Sequence, residues 1–297
     1  MISAPNAILQ ALSTDYRRVL SRWRALIYLR RASNEYASEE RRWLNVPGTY
    51  QDLDSLLRRM QSSGQIESID HAPGCYEAIT PYAQTLPVRE DELLLEINPY
   101  AVITHYTALV FHGFTLNRPN IITAWAGERG WVIPIGTTEE EWEGVDFPHI
   151  HRPRRILNQD VRWFNRFPNF SFGVVTDYSG PIQVRVTDPE RTLIDALQWP
   201  TYAGGIGNVV NAWELARNFV DIQTIINYTE QYEINLLRQR VGYIAEMVGF
   251  RHSSFDQWAE HSTRGGSSRL VGARPFSSEI DSRWNLSINA PVKALLT

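Results

Sequence analysis

The chain of 297 residues is 43% apolar and has a formal net charge of −4, a composition that allows about two domains with separate cores. It contains no run of about 18 apolar residues and no secretory signal pattern, so we expect a cytoplasmic protein that does not act at a membrane. Cys75 is the single cysteine, which excludes an internal disulfide framework and a multi-cysteine zinc site.

Positive charge is concentrated near the N-terminus. The first 64 residues contain ten arginines and six acidic residues, a net charge of +4, whereas the rest of the chain has a net charge of −8. Lys293 is the only lysine, and the planar guanidinium of arginine suits paired hydrogen bonds to phosphate and guanine. The N-terminal part is therefore the part expected to meet nucleic acid.

The first predicted helix covers residues 16–31. Its apolar residues recur at the spacing of one helical face, and arginines occupy much of the remainder. We expect a supporting helix with a basic exterior that contacts DNA through Arg17, Arg18, Arg22 and Arg24. A second, short helix is predicted over residues 35–44.

A third helix is predicted over residues 49–63. Thr49 and Asp52 have the spacing of a capping box, apolar residues follow at helical spacing, and Gly64 fits a left-handed C-cap. Residues 65–70 and 75–80 then alternate apolar and polar side chains on either side of a turn, which predicts a hairpin.

Three helices followed by a hairpin are the order of a winged helix-turn-helix, in which the third helix enters the major groove. The outward side chains of that helix are the predicted groove contacts: Gln51, Ser55, Arg58, Arg59 and Ser62. Two alternatives stay open. The arginines could merely solvate an exposed helix, or the winged helix could dock a protein partner, since Asp52 and Asp54 would repel phosphate.

Residues 81–91 contain two prolines and few core candidates, which indicates a linker. The predicted domains are therefore a winged helix over residues 1–85 and an α+β domain over residues 92–297.

Asn98 and Pro99 are expected to open a helix in the second domain. Short runs predict strands of a small sheet, and helix-compatible sequence predicts a helical end. The strand runs are residues 121–126, 131–135, 172–176 and 182–186.

Residues 187–197 (TDPERTLIDAL) form the most distinctive motif. Asp188 fits the N-cap of an amphipathic helix, Pro189 fits its first position, and a glycine-rich loop follows at residues 204–207. This stretch resembles the signature of the AbiEi-type antitoxins of bacterial type IV toxin–antitoxin systems, and residues 104–113, with a polar segment ending in His-Gly, resemble a second family pattern. The residues that carry the match are His105, Asp188, Glu190, Arg191 and Asp195.

The resemblance implies a repressor that binds repeated sites in its own promoter, and a C-terminal domain that counters a nucleotidyltransferase-like toxin. Such systems act in abortive infection, a form of phage defence. The expected partners are therefore double-stranded DNA and the cognate toxin. No enzymatic activity, cofactor or metal is expected.

A metal-dependent nuclease is the weaker alternative. Asp188, Glu190 and Asp195 could hold Mg²⁺, but capping explains the first two, and Asp195 is expected on the solvent side of the same helix. Only Lys293 could supply the lysine of a restriction-type site. His149 and His151 could bind a transition metal, although no third ligand is evident, and we expect them in an exposed loop.

Overall fold

The computed structural model describes residues 1–79, 87–165, 171–262 and 268–292, and it has a mixed α+β fold. The chain divides into two compact units. The first unit contains residues 1–102, 125–165 and 176–185, and the second contains residues 103–124, 166–175 and 186–297. The first unit thus extends beyond the predicted boundary at residue 85, because carboxylates near residue 95 are hydrogen-bonded to its N-terminal part.

The first unit begins with three helices and a three-stranded antiparallel sheet. In chain order these elements are α1 (Ala4–Thr14), β1 (Val19–Ser21), α2 (Arg22–Glu35), α3 (Asp54–Ser62), β2 (Ile66–Ser68) and β3 (Cys75–Ala78). The strand order is β1-β3-β2, with Leu20 opposite Tyr76 and Glu67 opposite Glu77. Side chains from all three helices and the sheet fill one core, which includes Ile8, Leu20, Leu26, Leu57 and Ile66.

Local signals explain where these helices begin. The Ser3 hydroxyl accepts a hydrogen bond from the backbone of Asn6 at the start of α1, and the Ser21 hydroxyl accepts one from Arg24 at the start of α2. A 3₁₀ turn, Tyr50–Leu53, leads into α3. The Asp52 carboxylate accepts hydrogen bonds from the backbone N–H groups of Gly48 and Thr49 at 3.0 and 2.9 Å.

The predictions for α3, the Gly64 C-cap and the hairpin are confirmed. The predicted first helix was placed too early, because residues 19–21 pair with β3 as a strand, so the helix begins at Arg22. Helix α1 was not predicted. The predicted helix over residues 35–44 is wrong: α2 ends at Glu35, and residues 38–40 form a turn before Arg41 bridges to Ile2.

The chain continues through α4 (Glu90–Ile97), β4 (Val102–Ile103), α5 (His105–Phe111), β5 (Ile121–Trp125), β6 (Arg155–Ile156), β7 (Gln159–Phe164), β8 (Val174–Ser179) and β9 (Ile182–Thr187). Strands β4 to β9 belong to a six-stranded sheet of order β6-β7-β5-β4-β9-β8. Strands β4 and β9 are parallel, with Ile103 opposite Val186.

The C-terminal part consists of α6 (Pro189–Gln198), α7 (Ile206–Ala216), α8 (Ile222–Gln231), α9 (Asn235–Met247), α10 (Ser253–Glu260), and the antiparallel pair β10 (Ile280–Asp281) and β11 (Leu286–Ser287). Trp213 and Trp284 are completely buried in its core. The predicted helical end is therefore confirmed, and α6 occupies its predicted residues.

Three predictions in this region need correction. Asn98 caps the C-terminus of α4 instead of opening a helix, and its side chain accepts a hydrogen bond from Tyr100 N–H at 3.1 Å. Residues 131–135 form turns and irregular structure in place of a strand. The strand expected at 172–176 begins at Val174, because Gly173 precedes it with a positive φ of 62°. Residues 81–86 of the predicted linker lie outside the described residues, as does residue 80 at the end of the predicted hairpin, and Glu90 and Asp91 belong to α4 and not to a linker.

Candidate functional site

Helix α3 separates an apolar face from a polar one. Leu56, Leu57 and Met60 are buried, because they recur every three or four residues toward the core of the first unit. The predicted groove residues are all exposed: Gln51, Ser55, Arg58, Arg59 and Ser62. The structure thus places all five on the solvent side of one short segment.

The arginines predicted before and within the first helix have a different environment. Arg17 and Arg24 are only 5% and 1% exposed, and both donate to the Glu96 carboxylate, at 3.0 and 2.8 Å. Their expected place on a basic exterior is therefore wrong. The physical reason is Glu96 itself, which α4 brings into the core, where a carboxylate is stable when it is fully hydrogen-bonded.

Glu92, one turn before Glu96 on α4, completes this buried cluster. Its carboxylate accepts hydrogen bonds from the backbone N–H groups of Arg18 and Val19, both at 2.9 Å. Burial raises the pKa of Glu92 to about 7, against the opposing effect of the backbone donors and of Arg17. Two guanidiniums and two carboxylates therefore face one another inside the first unit.

Arg18 and Arg22 are less buried but also form ion pairs. Arg18 pairs with Glu77, and Arg22 pairs with Asp54 at the start of α3. Arg22 also donates to the carbonyl of Tyr50 at 3.2 Å. The Asp54 charge that could repel phosphate is therefore partly neutralised by Arg22.

Arg58 and Arg59 differ from the arginines described above. Within the described parts of the chain, neither forms a salt bridge, and the side-chain hydrogen bond of Arg58 goes to the carbonyl of Asp54 at 3.1 Å. Their positive charge is therefore directed to solvent. Among the arginines of the first 64 residues, Arg42, Arg58 and Arg59 are exposed and form no salt bridge with the described residues, and α3 carries two of these three.

The family-like motif lies in the second unit and forms a buried polar cluster. Asp188 accepts hydrogen bonds from the backbone of Arg191 and from the Tyr228 hydroxyl, both at 2.8 Å, as an N-cap of α6. The Glu190 carboxylate accepts a hydrogen bond from the backbone of Asp221 at 2.8 Å. Both acids thus have structural partners at the start of α6.

Asp195 lies at the centre of this cluster. It is 3% exposed and accepts hydrogen bonds from Arg191 at 2.9 Å, from Thr104 at 3.2 Å and from the Tyr232 hydroxyl. The Arg191 guanidinium lies over the rings of Phe172 and Tyr232, 4.1 and 4.7 Å from their centroids. The expectation that Asp195 lies on the solvent side of its helix is wrong, since the pairing with Arg191 holds it in the interior.

His105 is also buried in the second unit, and α5 begins at this residue with a φ of 47°. Burial lowers its pKa to about 4, although the nearby Asp195 carboxylate opposes the shift. The imidazole is therefore neutral at pH 7. His105 therefore lies near Arg191 and Asp195, although about 90 residues of sequence separate it from them. The hydrogen bond from the adjacent Thr104 to Asp195 joins the same two segments.

Several members of these clusters have no signature in the sequence. Phe172 lies 15 residues before the motif at residues 187–197, and Tyr228 and Tyr232 lie 31 and 35 residues after it, so nothing local marks them as its partners. Glu92 and Glu96 do carry a signal: they are four residues apart in the apolar segment EDELLLEI, where buried carboxylates require partners.

His149 and His151 are exposed, as expected for a loop, and line a small cavity of about 100 Å³ in the first unit. No group of three or more histidine, cysteine, aspartate or glutamate side chains is placed to hold a metal ion in the portions of the chain that the structure covers. No helix among these residues is long and apolar enough to span a bilayer.

No family model and no curated protein matches this sequence. A crystal structure of the RV2827C protein from Mycobacterium tuberculosis is similar over 99% of this chain and 93% of that one, with 12% identity and a TM-score of 0.56. At that identity the similarity concerns the fold alone. The chain therefore shares its α+β architecture with at least one solved bacterial protein.

Proposed function

We propose that the first 79 residues form a winged helix and that the chain is a sequence-specific DNA-binding repressor, the antitoxin of a type IV toxin–antitoxin system. The element order α1-β1-α2-α3-β2-β3 and the sheet order β1-β3-β2 support the winged helix. The observation that carries the proposal is the exposed face of α3, where Arg58 and Arg59 lack salt bridges within the described chain.

Helix α3 is the element that would enter the major groove, because it directly precedes the hairpin in this order. Arg58 and Arg59 can each donate two parallel hydrogen bonds to the O6 and N7 atoms of a guanine. Ser55 and Ser62 can donate hydrogen bonds to phosphates or to the edges of bases. The hairpin would then lie beside the DNA sugar–phosphate backbone next to that groove. Its exposed residues include Ser68, Asp70 and His71.

The antitoxin role rests on the resemblance of the α5 and α6 motifs to AbiEi-type antitoxins. His105, Arg191 and Asp195 form one buried network, so we propose that they shape the second unit and do not contact the toxin directly. Its functional partner would be a nucleotidyltransferase-like toxin, and a cytoplasmic location follows from this role.

A promoter reporter tests the repressor role. DNA from upstream of the gene is fused to a fluorescent reporter in a heterologous bacterium, and the whole chain is expressed from a second plasmid. Repression by the wild type and its relief by Arg58→Ala with Arg59→Ala is the expected result. Equal reporter output with and without the chain would instead favour a winged helix that docks a protein.

Growth rescue tests the antitoxin role separately. A nucleotidyltransferase-like protein encoded beside the gene is induced with and without the chain. We expect restored growth with the wild type and with the Arg58→Ala, Arg59→Ala variant, because the second unit is unchanged. Arrested growth in both cases would refute the antitoxin role and leave a stand-alone regulator.

A further inference from the structure

A cavity of about 450 Å³ in the second unit is used by neither part of the proposed function. It is bounded by the 3₁₀ turn Pro200–Tyr202, the first turns of α9 and residues 271–273. Its walls are mostly apolar and aromatic, and they include Trp199, Tyr202, Ile234 and Val271. The volume lies in the range of about 300–1,000 Å³ that small-molecule sites occupy.

Arg240 is the charged residue in the described lining of this cavity, and it is 7% exposed. Its Nε donates to the carbonyl of Arg269 at 2.9 Å, and within the described residues its guanidinium forms no salt bridge. Burial, followed by the repulsion of Arg269, lowers the pKa of Arg240 to about 10. A buried cation beside a second cation is costly unless an anion is supplied.

The other buried arginines have their partners within the protein. Arg17, Arg24 and Arg191 each meet a carboxylate. Arg185 pairs with no carboxylate of the described residues, but it donates to the carbonyls of Pro99 and Ile133 through its two terminal nitrogens. Arg240 is different: it lines the cavity, one of its terminal nitrogens lies close to Gly272 in the same lining, and its hydrogen bond among the described residues is the one that Nε donates to Arg269.

Trp199 contributes an aromatic surface at the same cavity. It is 52% exposed although it is large and apolar, and its ring centroid lies 6.4 Å from that of Tyr202. Exposed aromatic surface next to a buried cation is a combination that suits a ligand with a flat apolar body and one anionic group.

We propose that this cavity binds a small aromatic carboxylate, whose ring contacts Trp199 and Tyr202 and whose carboxylate pairs with Arg240. The site is independent of the DNA-binding face of α3. The ligand's carboxylate supplies a negative charge with which the Arg240 guanidinium can pair. The apolar walls reduce the access of water to this ion pair.

Calorimetric titration of the whole chain with 2-naphthoate and its neutral amide, 2-naphthamide, tests the proposal. The two compounds share their rings and differ in charge. The wild type should bind one naphthoate about tenfold or more tightly than naphthamide, as expected for a hydrogen bond between charged groups. Equal affinities, or no heat of binding from naphthoate at millimolar concentration, would overturn the proposal.

Two variants and one control variant locate the site. Arg240→Met should bind both compounds with equal affinity, whereas Arg238→Met, which removes a neighbouring guanidinium paired with Glu230, should retain the preference for naphthoate. Arg240→Met should also melt at the same or a higher temperature, because it removes a buried charge that pairs with no carboxylate of the described residues. Trp199→Ala should weaken both compounds several-fold. Retained preference in Arg240→Met, or unchanged affinities in Trp199→Ala, would contradict the assignment.

Discussion

The arginines near β1 and the arginines of α3 have opposite environments in the same unit. Arg17 and Arg24 are buried against Glu96, whereas Arg58 and Arg59 extend into solvent from α3. The guanidinium is the same in both places. The difference is the carboxylate that α4 supplies to one pair and not to the other.

This comparison shows that a local excess of arginine does not by itself identify a nucleic-acid surface. Glu96 lies 79 residues after Arg17 and 72 after Arg24, so the neutralising charge is distant in the sequence. A buried guanidinium is compatible with a stable core only when a carboxylate or other acceptor pairs with it. A guanidinium can bind a DNA phosphate only when no carboxylate of the protein already occupies it. Variants of the buried cluster should therefore lose stability, whereas variants of the exposed arginines on α3 should lose DNA binding.

The largest expected effect follows from Glu96→Ala. Removing this carboxylate leaves Arg17 and Arg24 buried beside each other without their partner, which should lower the free energy of unfolding by about 3–5 kcal/mol. Urea unfolding followed by circular dichroism measures the change. Glu67→Ala, at an exposed position of β2, is the matched control and should change the stability little. A small loss for Glu96→Ala would show that the buried cluster is not a structural requirement.

The next effect concerns the exposed pair. Arg58→Ala with Arg59→Ala should leave the unfolding free energy nearly unchanged and weaken DNA binding about 30-fold or more, with a salt slope reduced by about two. Fluorescence anisotropy at several salt concentrations measures both quantities. Arg154→Ala with Arg155→Ala removes the same charge from another exposed segment and is the control. An equal loss in both double variants would indicate nonspecific attraction.

Glu92 allows the buried cluster to be tested by pH. Because its pKa is about 7 in the folded chain and near 4.5 in the unfolded chain, the folded state binds this proton more tightly. Wild-type stability should therefore fall relative to Glu92→Gln as the pH rises from 4.5 to 7, by at most about 1.4 kcal/mol per pH unit. A stability difference between the two proteins that does not vary with pH would mean that Glu92 stays ionised.

His105 should give the opposite pH dependence in the second unit. Its pKa is about 4 in the folded chain and near 6.5 in the unfolded chain, so the unfolded state binds the proton more tightly. Stability should be lost as the pH falls from 6.5 to 4, by at most about 1.4 kcal/mol per pH unit. His105→Asn, a residue that tolerates the positive φ, should remove this loss. Thermal melts of the wild type and of His105→Asn at pH 7 and pH 5 measure the loss of stability. An equal loss in the two proteins would contradict the role of His105.

Local signals in the sequence predicted some elements well. Capping residues and helical periodicity placed α3 and α6, and alternation around a turn placed the β2–β3 hairpin. These signals lie within one element, so they do not depend on the rest of the chain.

Other features depend on pairing between distant residues. Strand β1 has only three residues, and it forms because Cys75–Glu77 lie beside it. The burial of Arg17, Arg24 and Asp195 likewise depends on partners supplied by other elements, so periodicity placed their side chains on the wrong side. The exposed face of α3 could be predicted from helical periodicity alone, because its side chains point away from the core and contact no distant element of the described chain that would bury them.

The most direct test of the account is the binding of the whole chain to a labelled duplex from upstream of its own gene, in competition with a scrambled duplex of equal length and composition. A sequence-specific repressor should bind tightly without displacement by the scrambled duplex, and its affinity should fall steeply as the salt concentration rises. Equal displacement by both duplexes would contradict sequence-specific repression and leave α3 as a surface for another kind of partner.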